Sequence, residues 1–179
     1  YVGLSMGGMV GMPLAARHPH LIRSMVLLDT SAQAEPARNS IMYAMMTAIV
    51  KIFGVKTLTS RTLPLMFGVS TMKNPAMREL VSHWRRKLET KKKPIIGPVS
   101  GVTKRRDVTE ELVKIICPTL IMVGEEDRTT SVSCARHIHT NIADSEFIII
   151  PECGHSSALE KPEQVVDAMT KFYLKFDRA

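Results

Sequence analysis

Ser5, Asp127 and His155 are the residues whose types, taken together, do nucleophilic chemistry. A serine hydroxyl is a weak nucleophile until a nearby imidazole takes its proton. A buried carboxylate then fixes the tautomer of that imidazole and stabilises its charged form. Ser5 stands in Gly3-Leu4-Ser5-Met6-Gly7, a G-x-S-x-G pattern that places a serine on a sharp strand-to-helix turn. Glycines flank it, as expected where strand and helix pack too closely for side chains. The backbone N–H of Met6, at the start of the helix, is positioned to donate to a developing oxyanion. Asp127 closes Gly124-Glu125-Glu126-Asp127, and His155 closes Pro151-Glu152-Cys153-Gly154-His155. Glu125, Glu126 and Asp29 also follow apolar runs and are alternative acids. The pentapeptide alone recurs by chance in many chains, so the weight rests on the order Ser, Asp, His. Cys153, two residues before the histidine, is read as a turn-filling residue and not as a reactive thiol.

Elements able to position these groups follow from the pattern of apolar residues. Residues 2–4 form the stub of an apolar strand, and Met9, Val10, Met12, Leu14, Ala15 and Ala16 then recur with helical spacing, with Pro13 expected to kink that helix. A short buried strand is predicted over 25–29, completing a strand, helix, strand unit. Two strands that are almost wholly apolar imply a parallel sheet covered on both faces. From 33 to 107 no strand-like run appears. Helical spacing occurs instead over 41–53, 58–66 and 76–92, and Pro94, Gly97, Pro98 and Gly101 are read as breakers leading back to the core. Thr109 is placed to cap a short helix. A strong strand signal over 118–124, a helix over 132–142, a strand over 146–150 and an amphipathic helix over 162–176 complete the alternation. The division is therefore 1–32 core, 33–107 helical cap and 108–179 core. In a parallel sheet all loops after the strands open on one edge, which brings residues 5, 127 and 155 to one crevice.

A chain of 179 residues with 45% hydrophobic content is long enough for one real core. Its apolar runs fall short of the roughly 18 consecutive residues that a membrane span requires. The three cysteines, Cys117, Cys134 and Cys153, are odd in number and have no CxxC spacing, which argues against a disulfide framework or a zinc site and for a reducing cytoplasm. No charged leader followed by an apolar stretch opens the chain. The net charge is +7, but residues 85–106 alone carry +8. That local excess lacks the interleaved aromatics that single-strand binders stack on, so nucleic acid is not the expected partner.

The segments GLSMGGMVGMPLAARHP, VLLDTSA, LIMVGEEDRTT and IIIPECGHSSALEKPEQV resemble the α/β-hydrolase family, and within it most resemble enol-lactonases and small serine esterases. The likeness is strong over 1–32 and 108–179 and vague across the insertion. It implies the α/β-hydrolase fold with a helical cap, and hydrolysis of a small-molecule carboxylic ester or lactone through an acyl-serine intermediate, with no metal or organic cofactor. Carbon–carbon hydrolysis and perhydrolysis use the same three residues and remain alternatives. The family often has proline shortly after the acid, where this chain has Ser131. Its first four strands, two helices and a His-Gly loop that supplies a second oxyanion donor have no counterpart here. The expectation is therefore a partial sequence of a longer enzyme, inactive by itself because losing one such donor costs about 10²-fold to 10³-fold. In the cap, Trp84, Arg85 and Arg86 are candidate substrate-binding residues, the arginines for a carboxylate-bearing substrate. The rival reading is a non-catalytic hydrolase relic that binds partners through its basic cap.

Overall fold

The computed structural model describes residues 1–90 and 96–175. Four parallel strands lie in chain order, β1 (Val2–Leu4), β2 (Met25–Leu28), β3 (Thr119–Gly124) and β4 (Ser145–Ile150). All residues of β2 and β3 are buried, whereas β1 and β4 are the edges and are only partly covered. This explains why the two central strands read as unbroken apolar runs.

Alternation along those strands divides the core in two. Met25, Leu27, Ile121 and Val123 face a cluster with Met12 and Ala15 of α1 (Met6–Arg17) and Ala135 and Ile138 of the later helix Val132–Asn141. Val26, Leu28, Leu120 and Met122 face the opposite cluster, with Val165 and Phe172 of the closing helix Pro162–Tyr173. Truncating one of these fully buried leucines to alanine removes about 2–5 kcal/mol of packing and leaves a cavity. The sheet thus carries helices on both faces, as the sequence predicts. Pro13 lies within α1, which continues through it to Arg17.

Between β2 and β3 the described residues form no strand. They fold as α2 (Ala37–Phe53), α3 (Thr59–Met66), α4 (Val69–Lys73), α5 (Arg78–Thr90) and α6 (Ile96–Thr103), with short 3-10 turns between them. The sequence predicts α2, α3 and α5 but misses α4 and α6. Gly97, Pro98 and Gly101 lie inside α6. Pro98 occupies its first turn, where a backbone N–H would have no intrahelical partner, so the proline costs the helix no hydrogen bond. The end of the helix predicted over 76–92 and Pro94 fall in 91–95, outside the described residues, as does residue 176. The turn at 109–114 is not capped by Thr109. Asp107 accepts the Thr109 N–H at 2.8 Å, and the Thr109 hydroxyl instead meets His137 Nε2 at 3.0 Å.

The register pairs Leu4 with Leu28, Leu28 with Met122 and Gly124 with Ile150. The strands therefore end along one edge, and Ser5, Asp29, Asp127 and His155 all belong to the loops on that edge.

Candidate active site

Ser5 joins β1 to α1 with φ 51° and ψ −112°, a left-handed backbone that costs a non-glycine residue of the order of 1–3 kcal/mol. Neighbouring bonds hold it there. Its N–H donates to Leu28 O at 2.8 Å, and the Thr30 hydroxyl donates to Ser5 O at 2.7 Å. A side chain at Gly3 would meet the backbone of Gly7 and Gly8 at 2.6–2.8 Å, and one at Gly8 would meet Thr30 at 2.6 Å. Gly7 differs from the expectation. Nothing lies within 4 Å of where its side chain would stand, so the close strand–helix contact requires Gly3 and Gly8 but not the second glycine of the motif. Met6 is the first residue of α1, so its N–H belongs to the first turn, whose donors have no partner within the helix.

The imidazole of His155 bridges the other two groups. Its Nε2 lies 2.8 Å from Ser5 Oγ, and its Nδ1 lies 2.8 Å from Asp127 Oδ2. An ionised carboxylate only accepts, so Nδ1 carries the proton toward Asp127 and Nε2 is left to receive the serine hydroxyl. Asp127 is buried and fully bonded. The N–H groups of Thr129 and Thr130 donate to Oδ1 at 2.7 and 2.9 Å, and the Thr130 hydroxyl donates to Oδ2 at 2.9 Å. Thr130 Oγ also stands 3.2 Å from His155 Nδ1, a contact that no sequence motif announces.

Burial works against a charged His155. The hydrogen bond and charge of Asp127, with the more distant charges of Asp29 and Glu160, outweigh burial and hold the pKa above the ordinary histidine value. A hydroxyl bonded to such an imidazole is an arrangement able to transfer its proton as it attacks an acyl carbon.

The alternative acids serve elsewhere. Glu125 accepts the Glu152 N–H at 3.2 Å, and Glu126 accepts the Ser70 N–H at 2.8 Å and the Ser70 hydroxyl at 2.5 Å. Asp29 is wholly buried, with φ 46°, and accepts from the Gly124 N–H at 2.9 Å and from Ser157 Oγ. Burial pushes its carboxyl up to about 6, against the opposing pull of those hydrogen bonds. Cys153 is also buried, its thiol pKa raised by burial, and it packs with Val165 and Phe172.

In the helical region, Trp84 of α5 is half-buried, its ring edge-on to His83 at 6.2 Å, while Arg85 and Arg86 are exposed. Leu88, one turn after Trp84, lines an apolar cavity of about 150 Å³ with Tyr43, Met46, Val50, Leu58 and Leu65. Leu65 O accepts the Thr129 hydroxyl at 3.0 Å, which ties the cavity wall to the Asp127 loop. Among the described residues no group of His, Cys, Asp and Glu is arranged to hold a metal ion, and no helix is long and apolar enough to cross a membrane.

A model of the Ndr family matches residues 1–176. A pimeloyl-[acyl-carrier protein] methyl ester esterase of Chromobacterium violaceum is 24% identical over 174 residues, covering 95% of this chain and 68% of that protein. Among solved structures, a thermophilic esterase from Thermogutta terrifontis matches with a TM-score of 0.85 at 26% identity, over 97% of this chain and 64% of that one. The enol-lactonase from Burkholderia xenovorans LB400 matches with the same score and coverage at 22% identity, a likeness of fold alone. The chain spans less than two thirds of either solved chain.

Proposed function

The chain belongs to the Ndr family and has the α/β-hydrolase fold, and from that premise we propose that it is the catalytic part of a serine hydrolase cleaving a carboxylic ester or lactone. Ser5 is the nucleophile, His155 the general base and Asp127 the acid that orients it. The observation that carries this reading is the hydrogen-bonded chain Ser5 Oγ, His155 Nε2, His155 Nδ1, Asp127 Oδ2, with 2.8 Å at each contact between side chains. In the first half-reaction Oγ bonds to the acyl carbon while His155 takes its proton. The tetrahedral oxyanion is met by the Met6 N–H. His155 then returns the proton to the leaving alkoxide, and water repeats the sequence to release the acid.

Residues 33–107 are read as the cap over this site. The apolar cavity lies within the helical region and is not lined by Ser5, Asp127 or His155, so it carries no substrate assignment; Arg85 and Arg86 are retained as groups that favour a carboxylate-bearing substrate. In the full-length protein, hydrolysis of a short p-nitrophenyl ester is expected to fall by roughly 10⁴-fold to 10⁶-fold in S5A and in H155A. Retention of wild-type turnover in folded S5A overturns the reading. For the arginines, R85A and R86A are expected to slow a charged lactone more than a neutral ester. Equal losses on both remove charge recognition from the proposal.

A further inference from the structure

Glu160, at the end of the short helix Ser157–Glu160, is with Asp29 and Asp127 one of three buried carboxylates among the described residues, at 4% exposure. Three backbone N–H groups converge on it. Gly154 and Ser156 each donate to Oε1 at 3.1 Å, and Gly68 donates to Oε2 at 2.8 Å. Gly154 and Ser156 flank His155, so one carboxylate grips the chain on both sides of the imidazole. Gly68 lies in the link between α3 and α4, which rests on the histidine loop so closely that a side chain at Gly154 would meet Phe67 C at 2.6 Å, and one at Gly68 would meet Gly154 N at 2.8 Å. A second carboxylate repeats the pattern from the acid loop. Glu126 holds Ser70, and its own N–H donates to Cys153 O at 2.7 Å.

A buried carboxylate needs such donors, and hydrogen bonds to an ionised acceptor are about twice as strong as neutral ones. The cost of burying Glu160 is thus offset by fixing three points of backbone, two of them beside the proposed base. We infer that Glu160 is a positioning residue for His155, bracing the histidine loop from both sides and fastening it to Gly68 of the helical region. This rests on the reading of Ser5 and His155 as the reacting groups. The charged groups around the pair are Asp127 after β3, Asp29 at the end of β2, Glu126 through Ser70, and Glu152 and Lys161 beside Glu160.

The test uses the full-length protein and the variants E160Q and E160D, with folding checked by circular dichroism and active sites counted with a fluorophosphonate. In E160Q a side-chain NH₂ faces backbone donors. Turnover per labelled site is expected to fall by about 10²-fold, the scale of an ångström of misplacement, with KM changed far less. The His155 Cε1–H resonance is expected to titrate at lower pH, because a negative charge near the ring is lost. E160D keeps the charge but is one methylene short, so it should keep the titration midpoint and still lose turnover. A purely structural Glu160 would lower melting temperature and the labelled fraction alone. Unchanged turnover per site together with an unmoved midpoint in folded E160Q overturns the brace. Absence of labelling in the wild type overturns the hydrolase reading, and the catalytic meaning of the brace with it.

Discussion

His155 binds its proton more tightly than an ordinary histidine because the bond from its Nδ1 to Asp127, at 2.8 Å, and the charge of that carboxylate outweigh the opposing effect of burial. The sign of the consequence is fixed. In the proposed reaction His155 is the general base and must be neutral to act, so a protonated, inactive form would persist to higher pH than usual. The acid limb of kcat/KM is therefore expected to have its midpoint above about 6.5, and in D127N that midpoint should move down while the rate falls by about 10⁴-fold. A limb below the ordinary value would contradict the pairing. At this scale much was legible. Residue type and order singled out Ser5, Asp127 and His155, because each follows an apolar strand, and folding brings their side chains to hydrogen-bonding distance; their part in a reaction is the proposal. Thr130, Glu160 and the role of Asp29 were not. Their partners are backbone amides and hydroxyls brought close only by folding, and such contacts leave no spacing rule in the chain.

Among the elements, the strand-to-helix turn and the histidine loop show how tightly the sheet edge is packed. A side chain at Gly7 meets nothing within 4 Å, whereas one at Gly154 runs into the backbone of Phe67 and Gly68. G7A is expected to stabilise the protein by roughly 0.5–1 kcal/mol, as alanine for glycine inside a helix does. G154A should cost about 1–3 kcal/mol by overpacking. Denaturant midpoints distinguish them, and equal effects would contradict the packing described. The pattern of apolar residues found β2, β3 and the helices Met6–Arg17, Val132–Asn141 and Pro162–Tyr173 because burial on one or both faces dictates their periodicity. It failed at α6, where proline and glycine suggest a break. A first-turn proline has no hydrogen bond to lose, so Pro98 does not prevent the helix.

At the scale of the fold, the four parallel strands of the described residues, with helices on both faces, bring three loops, distant in sequence, to one edge, and the match to the Thermogutta esterase extends over 97% of the chain. The apolar cavity among α2, α3 and α5 lies beyond what the sequence could reveal, because its walls come from helices whose mutual packing has no local signature. The strain held at Ser5 and the bonded line through His155 to Asp127 have a function only if that hydroxyl is chemically activated. Exposure of the full-length folded protein to a fluorophosphonate, followed by peptide mass spectrometry, reads this directly. A single adduct on the Ser5 peptide is expected, absent in S5A and strongly slowed in H155A. A folded protein that carries no adduct at Ser5, or one labelled equally well without His155, would contradict the proposal that Ser5 is a nucleophile activated by His155.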